Sequence, residues 1–431
     1  MISEALLHFV WKNKIYSSFN FKTTHGKELQ IIHPGYSHQD AGPDFKQAIL
    51  KIDGIIWAGD VEIHISSSEW YKHNHHFDDK YNSVILHVVY NFDKEVFINN
   101  NEMIPSFEIQ NYISNELLLK YDTLFQSYQT IPCALFVKNF TTLVSDQNQI
   151  FFSQLYQRVL IDRLEEKQKT IFKILDHSSN DWNETIFKML TKNFGFKTND
   201  NAFELLSKSI SFKILKYHSH NHLQIYALIF GQSGLLDDQR EDEYYNTLQN
   251  EYQYLRKLYK LIPIQKKNWN LLRLRPHNFP CIRLAQLSEI LHHSPDLFSR
   301  IENHTEMNQY EKIFVNDTDM YWKTHFHFGK TTQSHTTSIG KPTFYLLMIN
   351  TIIPLLYAYG TFTGNYEFKD KALDLLSKIE PENNKIIRLY KNLGFPVTSS
   401  FDSQAILEMA KSYCNKKLCL ECGIGKKILS E

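Results

Sequence analysis

The groups most able to do chemistry lie close together near the start of the chain, in Ala41-Gly42-Pro43-Asp44-Phe45 and in Gly59-Asp60-Val61-Glu62-Ile63-His64. Each falls at or within a stretch of alternating polarity, and Asp53-Gly54 between them supplies a hairpin turn. Side chains alternate along a strand, so Asp60, Glu62 and His64 share one face while Val61, Ile63 and Ile65 share the other. Asp44, entering the paired strand, reaches the polar face across the hairpin. Carboxylates gathered in this way make a poor apolar core and a good oxygen cage for Mg²⁺ or Mn²⁺, with Asp44, Asp60 and Glu62 as predicted ligands. The alternative is structural: Asp44 caps a turn, and Asp60 and Glu62 lie on a solvated sheet face.

Imidazoles crowd the stretch from Trp70 to Tyr81, and Leu86-His87-Val88-Val89 sets another in an apolar strand. His73, His75 and His87 are therefore further candidate metal ligands or phosphate donors. For His87 the competing expectation is a buried, hydrogen-bonded core residue. A second cluster, Cys414-X4-Cys419-X2-Cys422, offers three thiolates and needs a fourth ligand. Cys133 is the first choice and a histidine the second. Structural zinc is the expected occupant, with an iron-sulfur cluster or unmetallated thiols as alternatives. Arg273, Arg275 and Arg283 flank a Pro-rich loop with Trp269 and Phe279 beside them. That set suits either a nucleic-acid strand or an arginine network pinning a buried loop.

Several elements must position these groups. An amphipathic helix is predicted from Ser3, a plausible N-cap, to Tyr16. Strands are predicted over 28–33, 45–52, 55–65, 83–92 and 95–98, and from about 146 onward the pattern is helical for nearly the rest of the chain. The expected class is α+β, with a mixed α/β domain over residues 1–125, an α-helical region over 146–405 and a cysteine-rich metal-binding tail over 406–431.

Pro43-Asp44, a hairpin-length gap, and then Glu62-X-His64 after an N-terminal helix resembles the motif of PD-(D/E)XK nucleases. The resemblance implies a restriction-endonuclease-like core that hydrolyses DNA or RNA phosphodiesters with Mg²⁺ or Mn²⁺. Asp44 and Glu62 would be ligands, Glu4 the assisting acid of the first helix, and His64 would stand where the family has lysine. A neutral imidazole positions or deprotonates water but lacks lysine's permanent charge. The alternative expectation is therefore a catalytically inactive nucleic-acid-binding or scaffold protein that keeps the fold. Taken with Phe230-Gly231-Gln232-Ser233-Gly234, Arg275-Pro276-His277-Asn278 and Asp402-Ser403-Gln404, these motifs also resemble an uncharacterised bacterial family, a domain of unknown function.

Composition narrows the setting. Lys plus Arg equals Asp plus Glu at 47 each over 431 residues, so no global basic field drives adhesion to nucleic acid or anionic lipid. Contact with nucleic acid must come from local patches. The early acid in Met1-Ile2-Ser3-Glu4 and the lack of a long uninterrupted apolar run lead to the expectation of a cytoplasmic protein without a membrane segment. Protein partners are not legible.

Overall fold

The computed structural model describes residues 2–17, 20–38, 40–126, 131–137 and 146–431. It divides into two units, one comprising Met1–Ile150, Asn392–Phe395 and Met409–Glu431, the other Phe151–Lys391 and Pro396–Glu408. The class is α+β, as expected: a mixed sheet lies in the first unit and a large helical region follows.

The first unit opens with helix α1 (Glu4–Asn13), capped by the Ser3 hydroxyl, which accepts from the Leu6 N–H. Its buried face carries Leu6, Leu7, Val10 and Trp11, and it packs on the central strand β5. The strands are β1 (Phe21–Lys22), β2 (Glu28–His33), β3 (Tyr36–Ser37), β4 (Phe45–Ile52), β5 (Ile55–Ser66), β6 (Val84–Asn91) and β7 (Ser106–Glu108). Their order is β1-β2-β4-β5-β6-β7, with β3 also on β4. Pairing is antiparallel through β5 and parallel from β5 to β6 to β7. A parallel neighbour requires a crossover, and here it contains the short helix α2 (Glu69–Lys72) and two single turns.

The strand predicted over 95–98 is absent. Phe97 makes only an isolated bridge to Met103, and the place beside β6 belongs to β7. Side chains take the backbone carbonyls instead: Trp70 Nε1 donates to Phe97 O and Tyr71 OH to Glu95 O. These bonds anchor α2 over a small core of Trp70, Tyr81, Val84, Val96, Ile98 and Ile104. Helix α3 (Asn115–Phe125) packs against the C-terminal helix Gly423–Ser430 within the same unit. The C-terminal residues from Met409 group with the N-terminal unit.

In the second unit, helix His222–Gln232 has every residue from Ile225 onward buried, as a central core helix must. Two helices, Asp200–Ser209 and Phe212–His218, follow each other with a break at which Glu184 Oε2 accepts from both Ser211 Oγ and the Phe212 N–H. The stretch Lys341–Thr363 is long and apolar enough to cross a membrane by length and composition, and 67% of its most apolar window is buried. Pro354 denies Asn350 its usual helical donor, a π turn spans Met348–Ile352, and Asn193 Nδ2 donates to the Asn350 carbonyl.

Candidate metal centre

The site grows from one irregularity in the β4–β5 pairing. Register slips between Phe45 and Ala48, where Gln47 takes a positive φ of 59°. A β-bulge of this kind leaves a backbone N–H without a ladder partner. Asp60 supplies one: its Oδ1 accepts from Gln47 N at 3.0 Å, while Oδ2 accepts from Ser83 Oγ at 2.7 Å. Asp60 is thereby committed to the sheet, and the structure does not bring it into the ligand clusters described below.

Asp44 and Glu62 do meet. The Asp44 N–H donates to Glu62 Oε2 at 3.0 Å, and the Ile63 N–H donates to Asp44 Oδ2 at 2.9 Å. Two carboxylates are thus held side by side by backbone donors. From α1, Glu4 and His8, one helical turn apart, reach the same place; His8 Nε2 lies 3.2 Å from Asp44 Oδ2 and 3.7 Å from Glu4 Oε1. One ligand atom each from Glu4, His8 and Asp44 falls within 4.8 Å of the others.

On the other side of Glu62 stands a set of imidazoles. His64, His73 and His75 also place ligand atoms within 4.8 Å of one another. Glu62 Oε1 faces both His75 Nε2, at 3.3 Å, and His64 Nε2, at 3.7 Å. The loop achieves this by reversal: α2 ends at His73, Asn74 adopts a left-handed φ of 61°, and His75 starts the next turn stacked on Tyr81. Glu69 fastens the loop's start by accepting from the Ile65 and Ser66 N–H groups. His76 packs on Tyr71 and Phe77 instead.

His87 stands behind His64. It is fully buried on β6, opposite Glu62 in register, and its Nε2 is 2.8 Å from His64 Nδ1. That contact fixes the His64 ring and leaves Nε2 facing Glu62 and His73, the arrangement in which a second imidazole orients a ligand.

Burial, and next the charge of Asp44, lift the Glu62 carboxyl well above the usual carboxylate range. Burial, then the neighbouring imidazoles of His75, His73 and His8, push His64 down to about 3. Burial also lowers His75 and His87. For His8 burial acts against the charged form, but Asp44, Glu4 and Glu62 outweigh it and raise the imidazole. A cation would relieve both crowded carboxylates and uncharged imidazoles, since metal ligands are wanted ionised or neutral respectively. The donor set fits a divalent metal: oxygen-rich on the Glu4 and Asp44 side, nitrogen-rich on the other, the latter suiting Mn²⁺, Fe²⁺ or Zn²⁺ better than Mg²⁺.

Sequence reasoning missed His8, although its i, i+4 spacing from Glu4 on an amphipathic helix was the available signal. The arginines diverge. Arg283 is 5% exposed, bonded to Gln286 Oε1 and Asn278 Oδ1, with its guanidinium over Phe196, so it pins its loop. Trp269 is buried and donates to Ser233 O, which leaves Arg273 and Arg275 exposed without that aromatic partner. Cys133, Cys414, Cys419 and Cys422 line one small cavity of the first unit.

Residues 4–385 match the model of a family described as "Protein of unknown function (DUF2851)". Comparison with curated proteins and with solved structures gave no match.

Proposed function

The chain belongs to that family of unknown function, and we propose that it is a divalent-metal-dependent nuclease whose centre is formed by Asp44 and Glu62 with Glu4, His8, His64, His73 and His75. The observation that carries the reading is the meeting of Asp44 and Glu62 beside two three-residue ligand sets, one on each side of Glu62. The surrounding order supports a restriction-endonuclease-like core: a helix, antiparallel strands bearing Asp44 and Glu62, a crossover, then a parallel strand.

A bound divalent cation would supply charge neutralisation at the phosphate and a water of lowered pKa. The chain's own part is to hold the ligands. Backbone donors aim Asp44 and Glu62, His87 holds the His64 ring, and α1 presents Glu4, the most exposed carboxylate of the set, as a group able to exchange protons with solvent. The imidazole-rich half favours Mn²⁺ over Mg²⁺.

The test is cleavage of single-stranded, double-stranded and branched DNA and RNA with Mn²⁺, with Mg²⁺ and without metal. Metal-dependent cleavage abolished by Asp44→Ala is the expected result, and intact substrates throughout the panel in Mn²⁺ would sink the reading. The presence of His64 in place of a lysine favours one rival, a nucleic-acid-binding scaffold that retains the fold. Binding unaffected by Asp44→Ala, with no hydrolysis, would identify it.

A further inference from the structure

Four of the five cysteines come from two distant stretches of chain and converge within the first unit. Cys133 sits in the turn following Pro132, Cys414 begins a single 3-10 turn, Cys419 lies in the next turn, and Cys422 is the N-cap residue of helix Gly423–Ser430. All four line one water-sized cavity, together with Leu124, Pro132 and Leu418. No two are joined by a disulfide among the described residues. Burial, then the neighbouring sulfurs of Cys414, Cys422 and Cys419, push the Cys133 thiol up, which places all three within electrostatic reach of it.

The backbone around them is built as a tight knuckle. A Cβ on Gly425 would lie 1.9 Å from the Cys419 carbonyl oxygen, so the helix begins pressed onto the loop that carries Cys419 and only glycine fits. The elements bearing the thiols are a three-residue turn and an eight-residue helix, too short to persist on their own propensity. Four thiols lining one small, largely apolar hollow, on short irregular elements, supply the number and kind of donors that a soft tetrahedral cation takes.

We propose that Cys133, Cys414, Cys419 and Cys422 bind one structural zinc ion that fastens the C-terminal segment to the 131–137 turn of the first unit. Four thiolates complete the coordination of a single zinc ion, whose Zn–S bonds are about 2.3 Å. The site is independent of the nuclease reading, because none of its ligands belongs to the Asp44–Glu62 centre.

The experiment uses the full-length protein, without a histidine tag, purified with no added metal. Elemental analysis should find about one zinc per chain, released on titration with an organomercurial thiol reagent and followed by a zinc-sensitive dye. Zinc should persist in the double variant Asp44→Ala/His73→Ala and fall to near zero in Cys414→Ser. If Cys414→Ser fails to fold, the organomercurial release from the unmodified protein still decides the matter. Substoichiometric zinc, zinc retained after complete thiol modification, zinc lost with Asp44→Ala/His73→Ala, or stoichiometric iron with acid-labile sulfide would each overturn the proposal.

Discussion

Among the described residues, two buried glutamates, Glu62 and Glu289, are flanked by histidines, and their surroundings make them opposites. Glu289, in the helical unit, accepts from His222 Nε2 at 2.8 Å and from Tyr226 OH at 2.7 Å, with His293 Nε2 at 3.4 Å from its other oxygen. Burial would raise it, but the donors from His222 and Tyr226 win and its carboxyl is lowered. Glu62 has a backbone N–H, a second carboxylate and imidazoles driven toward the neutral form, and it is raised. A buried carboxylate whose charge is matched by side-chain donors serves the fold. One crowded by another carboxylate is in debt to something else, and a cation is what the geometry suits.

The largest effect expected from this contrast is at Glu62. Glu62→Gln should lower metal-dependent cleavage by about a thousandfold, several kcal/mol of barrier at about 1.36 kcal/mol per tenfold, while folding stability without metal stays within about 0.5 kcal/mol of the parent. The amide mimics the neutral acid already favoured there. Glu289→Ala should do the reverse, costing about 3 kcal/mol in urea unfolding by stranding His222 and Tyr226, with cleavage by the folded protein unchanged. If Glu289→Ala abolished cleavage in folded protein, the division into a working and a structural cluster would break.

A smaller change is expected at His87. His87→Leu keeps the bulk and removes the partner of His64 Nδ1, so the Mn²⁺ concentration for half-maximal cleavage should rise about ten- to a hundredfold. An unchanged Mn²⁺ requirement would make His87 only a core residue.

The smallest effect is a pH dependence of stability in the helical unit. His222 faces Glu289, Asp319, His292 and Tyr226. Its hydrogen bond to Glu289 raises it above 6.5, so its contribution is complete below that value and disappears as pH rises through the folded pKa. Glu289 is lowered from 4.5, so its contribution is complete above that value and disappears as pH falls. The pair should stabilise most between these two limits. Because His222 is about a third exposed, His222→Gln should remove less than about 1 kcal/mol of alkaline-side dependence, read as the difference between parent and variant in urea midpoints from pH 5 to pH 9.

The sequence alone determined the local parts of this protein. Alternation set β4 and β5 and put Glu62 and His64 on one face, Asp53-Gly54 made the turn between them, and Ser3 capped α1, because strand parity, turn chemistry and caps act over a few residues. Short helices such as Leu297–Asn303 and Lys385–Asn392 carry a weak local signal, their periodicity being only about two turns long. Only the tertiary structure decided the membership of the sites. One residue inserted at Gln47 diverted Asp60 to the bulge, packing of α1 on β5 turned His8 toward Asp44, and the return of the C-terminal segment brought three cysteines to Cys133. Each is a long-range consequence of which surfaces bury against one another: the spacing of Glu4 and His8 and the clustered cysteines offered the side chains, and packing alone brought them to Asp44 and to Cys133.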